Sequence, residues 1–182
     1  MFRLYISPSC QEHNMGVDGI SEEDRMQALG KNLKLALHQE AGANMVIAMN
    51  SPEMTLDEIV RDSDKFHADA HLAIHTNAGP PSKTGTLIFA HAGSKKGNRF
   101  AELVAKHLIA AGLAMEPGGE VRDPAEYLGH RLAEVDKVKA PACLVELAYH
   151  TNAEDLKKLQ KHWGDIVHAL RCAVVEYVRE VG

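Results

Sequence analysis

Five ionisable side chains of this sequence stand at or near the ends of apolar segments, where they could bind a metal ion and activate water. His13 follows the first apolar segment and His75 follows the third. Glu22 and Glu23 open the first helical segment, and Glu146 lies inside the last apolar run before the closing helix. Two histidines and one carboxylate with an open fourth position form a common catalytic zinc arrangement. A further carboxylate nearby would act as the general base for the metal-bound water.

Glu146 is the residue whose position is hardest to explain without a function. An ionisable group between Val145 and Leu147 costs free energy unless it is paired or associated with a metal. Glu22 and Glu23 are more ordinary, since glutamates in the first turn of a helix commonly interact with the helix dipole. The sequence contains no HExxH, GxSxG, Walker or GxGxxG motif. Thermolysin-type peptidases, serine hydrolases, NTPases and dinucleotide enzymes therefore have no support.

The segments that must position these side chains alternate between strand and helix periodicity. The apolar runs predict strands at 2–6, 44–49, 70–74, 85–90 and 141–147. The helical spacing predicts helices from Ser21 to Gly42 and at 56–66 and 100–111, and a closing helix over 156–178 in one or two pieces. Residues 115–139 are predicted as a loop that contains one strand. This alternation predicts a three-layer α/β/α fold with a mixed, mostly parallel sheet of about six strands. In such sheets, functional groups gather at the carboxyl ends of the strands.

Length and composition restrict the partners of the chain. Its 182 residues and 45% hydrophobic content predict a single domain over residues 1–182. Twenty Lys and Arg residues against 25 Asp and Glu residues give a net charge of −5, which disfavours a nucleic-acid partner. No apolar stretch approaches the length of a membrane span, and the first residues do not form a signal peptide. The three cysteines have no CxxC spacing, so they predict neither a disulfide framework nor a thiolate zinc site.

Four segments of the chain follow one another in an order that is typical of one enzyme family. They are Ile6-Ser7-Pro8-Ser9 with His13 and Asn14, Glu23 at the start of a long helix, Ala73-Ile74-His75-Thr76-Asn77-Ala78, and Ala140-Pro141 leading to Leu144-Val145-Glu146-Leu147-Ala148. In this order they resemble the zinc-dependent N-acetylmuramoyl-L-alanine amidases of the type 3 family, found in bacterial autolysins and phage lysins. The resemblance runs nearly from end to end of the chain.

The resemblance implies a function and a set of residues that perform it. One zinc ion per chain would be held by His13, Glu23 and His75, Glu146 would be catalytic, and Asn77 would contact the stem peptide of peptidoglycan. The bond cut would be the amide between N-acetylmuramic acid and L-alanine. Glu22 stays the alternative ligand to Glu23, because helical periodicity places Glu22 nearer the centre of the apolar stripe of the helix.

Two other functions remain open from the sequence. A zinc carboxypeptidase or deacetylase could use the same ligands on a related substrate, and an inactive homologue could serve as a binding or regulatory module. Because all four expected positions are filled, the active amidase is the favoured interpretation. The absence of a recognisable signal peptide fits either a phage-type lysin released from the cytoplasm or a catalytic domain cut from a longer wall enzyme. We expect the chain to act on the cell wall as a monomer, without a membrane partner.

Overall fold

The fold is organised around a mixed sheet of five strands. The computed structural model describes residues 1–41, 44–117 and 121–181, so the predicted helix end at Gly42 lies outside the described residues. In chain order the strands are β1 (Phe2–Pro8), β2 (Met45–Met49), β3 (Ala70–Asn77), β4 (Leu87–Phe89) and β5 (Ala142–Tyr149). Their order in the sheet is β2-β1-β3-β5-β4, with β4 antiparallel to β5 and the other pairs parallel. The mixed, mostly parallel sheet is confirmed, with five strands instead of six.

Helices cover both faces of the sheet. They are α1 (Glu22–Ala41), α2 (Leu56–Phe66), α3 (Lys95–Ala110), α4 (Pro124–Leu128), α5 (Ala133–Asp136), α6 (Ala153–Lys161) and α7 (Trp163–Val181). None of these described helices is long and apolar enough to cross a membrane.

One departure from the predicted elements concerns the second half of the chain. The described part of 115–139 contains the short helices α4 and α5 and two isolated bridges, but no strand. The closing helix, predicted in one or two pieces, forms as the two helices α6 and α7. Short helical turns such as α5 lack a long periodic pattern, so the sequence gives little sign of them.

Local sequence explains where two of the helices begin. The side chain of Ser21 accepts a hydrogen bond from the backbone of Asp24, which caps the start of α1. At α2, Thr55 and Glu58 form a reciprocal capping box. Both starts agree with the predicted ones. Capping at Ser21 places Glu22 at the first position of α1, next to the carboxyl edge of the sheet.

The two faces of the sheet differ in chemistry because side chains of a strand alternate between them. Toward α1, α3 and α7 the strands present the main apolar core, which includes Ile6, Leu72, Ile74, Val145 and Leu147. Toward α2 and α5 the same strands present polar side chains, which are Tyr5, Ser7, His71, His75 and Glu146. We call this second surface the polar face; it carries the candidate chemistry.

Close packing of α1 on the end of β1 gives a first prediction. A Cβ atom added at Gly30 would fall inside contact distance of Pro8 Cγ and lie 3.2 Å from Met49 Sδ. Alanine would favour the helix by about 1 kcal/mol, but overpacking costs about 1–3 kcal/mol. Gly30→Ala should therefore lower the free energy of unfolding in urea titrations. Gly164 in α7 has open space around it and is the matched control, so Gly164→Ala should leave stability equal or higher.

Candidate active site

His75 lies between two carboxylates at the carboxyl end of β3. Its Nδ1 is 2.9 Å from Glu22 Oε1, and its Nε2 is 3.2 Å from Glu134 Oε2. Glu22 reaches His75 from the first turn of α1, and Glu134 reaches it from α5 on the polar face. Both carboxylates are buried, and the His75 side chain is 12% exposed. Each ring nitrogen of His75 therefore faces its own carboxylate.

These contacts determine the charge of the imidazole. Burial alone lowers the pKa of His75, but its hydrogen bonds to Glu134 and Glu22 outweigh burial and hold that pKa well above its usual range. The two carboxyl groups shift in the opposite sense: burial raises their pKa values, and the contacts with His75 bring them below the ordinary range. His71 adds to this effect at Glu134. Without a metal, the structure thus favours an imidazolium between two carboxylates.

Glu22 is held by hydrogen bonds from β3 and from the loop after β1. Its Oε1 accepts a hydrogen bond from the backbone of Thr76, and its Oε2 accepts one from Asn14 Nδ2 at 2.6 Å. Asn14 Oδ1 is in turn 3.1 Å from His150 Nε2, and His150 Nδ1 is 2.8 Å from Thr76 Oγ1. Asn14 and the fully buried His150 therefore complete a ring of contacts that fixes the carboxylate of Glu22 beside His75.

Glu146 stands next to His75 on the neighbouring strand, where the two residues are register partners. Its Oε2 atom is buried and has no hydrogen-bond partner among the described residues. Burial is the main reason why the pKa of Glu146 rises to about 7, and the charge of His75 partly opposes this rise. A carboxyl group with this pKa exists in both protonation states near neutral pH, which suits a general base and acid.

His75, Glu134 and Glu146 open into a cavity of about 350 Å³. Its walls are mostly apolar and include Met54, Leu56, Ile59, Leu132 and Leu144. Cys10 also lines it, and burial raises the pKa of this thiol to about 11. Apolar walls around a few convergent polar groups are typical of a binding site for a small molecule or a peptide.

The structure does not bring the sequence-predicted ligands together. His13 is 93% exposed at its side chain and contacts Glu12 at 3.3 Å. Glu23 lies in the first turn of α1 at intermediate burial and is not among the residues that line the cavity. Partial burial and the charges of Glu12, Asp24 and other acids raise its pKa. Glu22, the alternative, is the residue of α1 that contacts His75. The choice of Glu23 over Glu22 came from the family spacing, whereas the helical periodicity pointed to Glu22.

A zinc ion with three protein ligands does not fit the residues as placed. In the part of the chain that the structure describes, no three His, Cys, Asp or Glu side chains are grouped so that they could hold a metal ion. Glu22 and Glu134 approach opposite nitrogens of His75, so one ion bound to either nitrogen could contact only one of the two carboxylates. Glu22 and His75 supply two donors, and a catalytic zinc normally takes three from the protein.

Sequence reasoning missed Glu134, although one signal pointed toward it. His71 and His75 are four residues apart on a strand, so both side chains lie on the same face. Two buried histidines on one face need an acceptor, and Glu134 serves both, with His71 Nε2 at 3.2 Å from Oε1. Asn77 ends β3, but it is not among the residues that line the cavity.

Comparison with known proteins identifies relatives over most of the chain. The sequence profile of the family described as N-acetylmuramoyl-L-alanine amidase matches residues 6–174. The chain is similar to the N-acetylmuramoyl-L-alanine amidase LytC of Bacillus subtilis (strain 168), with 26% identity over 183 residues. This match covers 97% of the chain but only 35% of LytC, so the chain spans about a third of the length of that relative.

Solved amidase structures share the fold. The catalytic domain of CwlV from Bacillus (Paenibacillus) polymyxa var. colistinus gives a TM-score of 0.83 at 18% identity, over 98% of this chain and 99% of that chain. AmiC2 of Nostoc punctiforme gives a TM-score of 0.82 at 20% identity, over 98% of this chain and 97% of that chain. At these identities the likeness concerns the fold, and the chemistry must be argued from the side chains.

The contact between Glu22 and His75 gives a second prediction. Glu22→Gln removes a carboxylate that raises the pKa of His75, so the pKa of His75 should fall. Glu23→Gln is the matched control and should leave it unchanged, because Glu23 is not a hydrogen-bond partner of His75. Histidine side-chain ¹⁵N spectra, recorded against pH with a chelator present, measure the pKa of His75 in both variants. An equal fall in the two variants would contradict the placement of Glu22.

Proposed function

The chain belongs to the N-acetylmuramoyl-L-alanine amidase family, and we propose that it hydrolyses the amide bond between N-acetylmuramic acid and L-alanine in peptidoglycan. The observation that carries this proposal is the buried Glu146 oxygen, which has no hydrogen-bond partner in the described part of the chain and lies beside His75 in an apolar cavity. A carboxyl group placed in this way suits proton transfer to and from an amide that undergoes hydrolysis. Residues 1–182 would act as one catalytic unit on the cell wall.

In this proposal Glu146 moves the protons of the reaction. As a carboxylate it takes a proton from the water that attacks the amide carbonyl, and as an acid it gives that proton to the leaving amine of L-alanine. A pKa of about 7 makes both states accessible near neutral pH. His75 places a positive charge next to Glu146, which favours the carboxylate form before the attack. The buried contacts of Glu22 and Glu134 keep that imidazolium in position.

The cavity walls would hold the substrate around the scissile bond. Met54, Leu56 and Ile59 line one side of the cavity, and Leu132 and Leu144 also contribute apolar surface. These side chains suit the alkyl parts of a lactyl group and of L-alanine. Asn77 remains the predicted contact for the stem peptide.

Zinc remains a prediction from the family resemblance. The contact between His75 and Glu22, the alternative to Glu23, supports these two residues as candidate ligands. We propose Glu22 and His75 as the residues that would share the ion, since their donor atoms face each other at 2.9 Å. A bound ion would replace the proton on Nδ1 of the imidazolium and would supply the positive charge beside Glu146 in its place. Because a third protein donor is not in place, no step of the mechanism above is assigned to the metal.

Product analysis tests the proposed reaction. Purified peptidoglycan incubated with the wild-type protein should gain free amino groups on L-alanine without gaining reducing sugar ends. Glu146→Gln keeps the size of the side chain and removes the proton acceptor, so the rate should fall by about 10²-fold or more. New reducing ends would identify a glycosidase, and new amino groups elsewhere in the stem peptide would identify a peptidase.

A stability measurement controls for misfolding of this variant. Because the pKa of Glu146 lies above its unfolded value of 4.5, ionisation at pH 8 costs stability in the folded wild-type protein. Glu146→Gln avoids this cost, and its melting temperature should exceed that of the wild type at pH 8, by less as the pH falls toward 5. An inactive variant with a lower melting temperature at pH 8 would contradict the assigned environment of Glu146.

Metal content tests the zinc prediction separately from activity. If zinc binds through Glu22 and His75, the wild-type protein will retain one ion per chain after zinc loading and dialysis, and Glu22→Ala and His75→Ala will lose it. His13→Ala and Glu23→Ala are the matched controls and should keep it, because these side chains lie outside the cavity. Loss of zinc in both control variants, with retention in Glu22→Ala, would restore the ligand set of the sequence analysis.

A further inference from the structure

Glu134 is a buried carboxylate that belongs to no sequence motif of the family resemblance. Its side chain is 4% exposed and extends from α5 onto the polar face. Oε1 contacts His71 Nε2 at 3.2 Å and also accepts a hydrogen bond from the hydroxyl group of Ser7. Oε2 contacts His75 Nε2 at 3.2 Å. One carboxylate therefore joins strands β1 and β3 at the point where the site begins.

The charge of Glu134 is balanced only through histidine. Among the described residues that hydrogen-bond to it there is no lysine and no arginine. A buried carboxylate without a positive neighbour is costly, so it needs a proton on the nitrogen that faces it. His71 is fixed on its other side by Ser63, whose Oγ is 2.9 Å from His71 Nδ1. The network therefore has a rigid inner part, which is His71 and Ser63, and an outer end at His75.

The hydrogen bonds of Glu134 separate its role from that of Glu146. Both oxygens of Glu134 have hydrogen-bond partners, whereas Oε2 of Glu146 has none among the described residues. The oxygens of Glu134 face ring nitrogens of His71 and His75, each at 3.2 Å. Glu134 is thus placed to accept a ring N–H, and Glu146 is the carboxylate that is open to a substrate water.

We propose that Glu134 is a positioning residue of this site: fixed by Ser7 and His71, it holds the proton on Nε2 of His75 and directs Nδ1 to Glu22. Hydrogen bonding at one ring nitrogen decides which atom the other nitrogen presents, so loss of Glu134 would let the ring rotate or change its proton position. The kinetic part of this inference rests on the proposed amidase function, and its spectroscopic part does not.

Glu134→Gln is the main test, because glutamine keeps the shape and removes the charge. In this variant kcat on peptidoglycan fragments should fall by about 10- to 100-fold while KM changes by less than about twofold, since substrate contacts are kept. In the metal-free protein, the ¹⁵N signals of the His75 ring should shift from their wild-type positions. These signals are assigned by their absence in His75→Gln.

Ser63→Ala is the matched control. It disturbs the same buried network at His71 without touching Glu134 or His75. It should lower the melting temperature but leave kcat and the His75 ring signals close to wild type. If Glu134→Gln and Ser63→Ala lose kcat equally, or if Glu134→Gln leaves the His75 signals unchanged, Glu134 is only structural and the inference is wrong.

A second variant covers the case in which Glu134→Gln does not fold. Ser7→Ala removes the hydroxyl that fixes Glu134 but leaves the carboxylate in place. It should shift the His75 signals in the same direction and reduce kcat less than Glu134→Gln would; unchanged signals would overturn the inference. If the wild-type protein has no amidase activity but Glu134→Gln or Ser7→Ala shifts the ring signals, the proposed function fails and the positioning role stands.

Discussion

The pairing of His75 with carboxylates on both ring nitrogens is the interaction on which the site depends. Each partner alone would be unfavourable at this depth, because burial disfavours the charged form of both imidazole and carboxylate. Together, Glu22 and Glu134 keep His75 charged, and His75 keeps both of them ionised. Glu146 lies beside these three residues, and its Oε2 atom has no hydrogen-bond partner among the described residues. It therefore takes the opposite shift, and its pKa rises to a value at which a proton can be exchanged.

The sheet accommodates these buried ionisable side chains because its two faces have different roles. Leu72, Ile74 and Val145 pack beneath α1, α3 and α7, which form a thick apolar layer. The polar face is covered by α2 and by the four-residue helix α5, and this thin cover leaves the cavity open. Apolar burial on the first face stabilises the fold. The stability that this apolar burial provides offsets the cost of burying ionisable groups on the polar face.

The sequence was most informative where a local pattern decides the structure. The alternation of strands and helices predicted the layered fold, and the apolar neighbours of Glu146 singled out a residue that the structure places at the cavity. His13 and Glu23 were placed by the spacing of a motif, and the loop after β1 takes a path on which His13 is exposed. Glu134 depends on a tertiary contact between a short helix and β3, and no periodic pattern of the chain encodes such a contact.

The position of His75 at the edge of the sheet explains why its two partners come from opposite layers. Glu22 begins α1, which packs on the apolar face, and its carboxylate extends over the carboxyl edge of the sheet to Nδ1. Glu134 approaches Nε2 from α5, on the other face. A change in the packing of either layer would therefore move one carboxylate relative to the imidazole. The geometry of the site thus depends on the alignment of all three layers, including packing that lies far from the cavity.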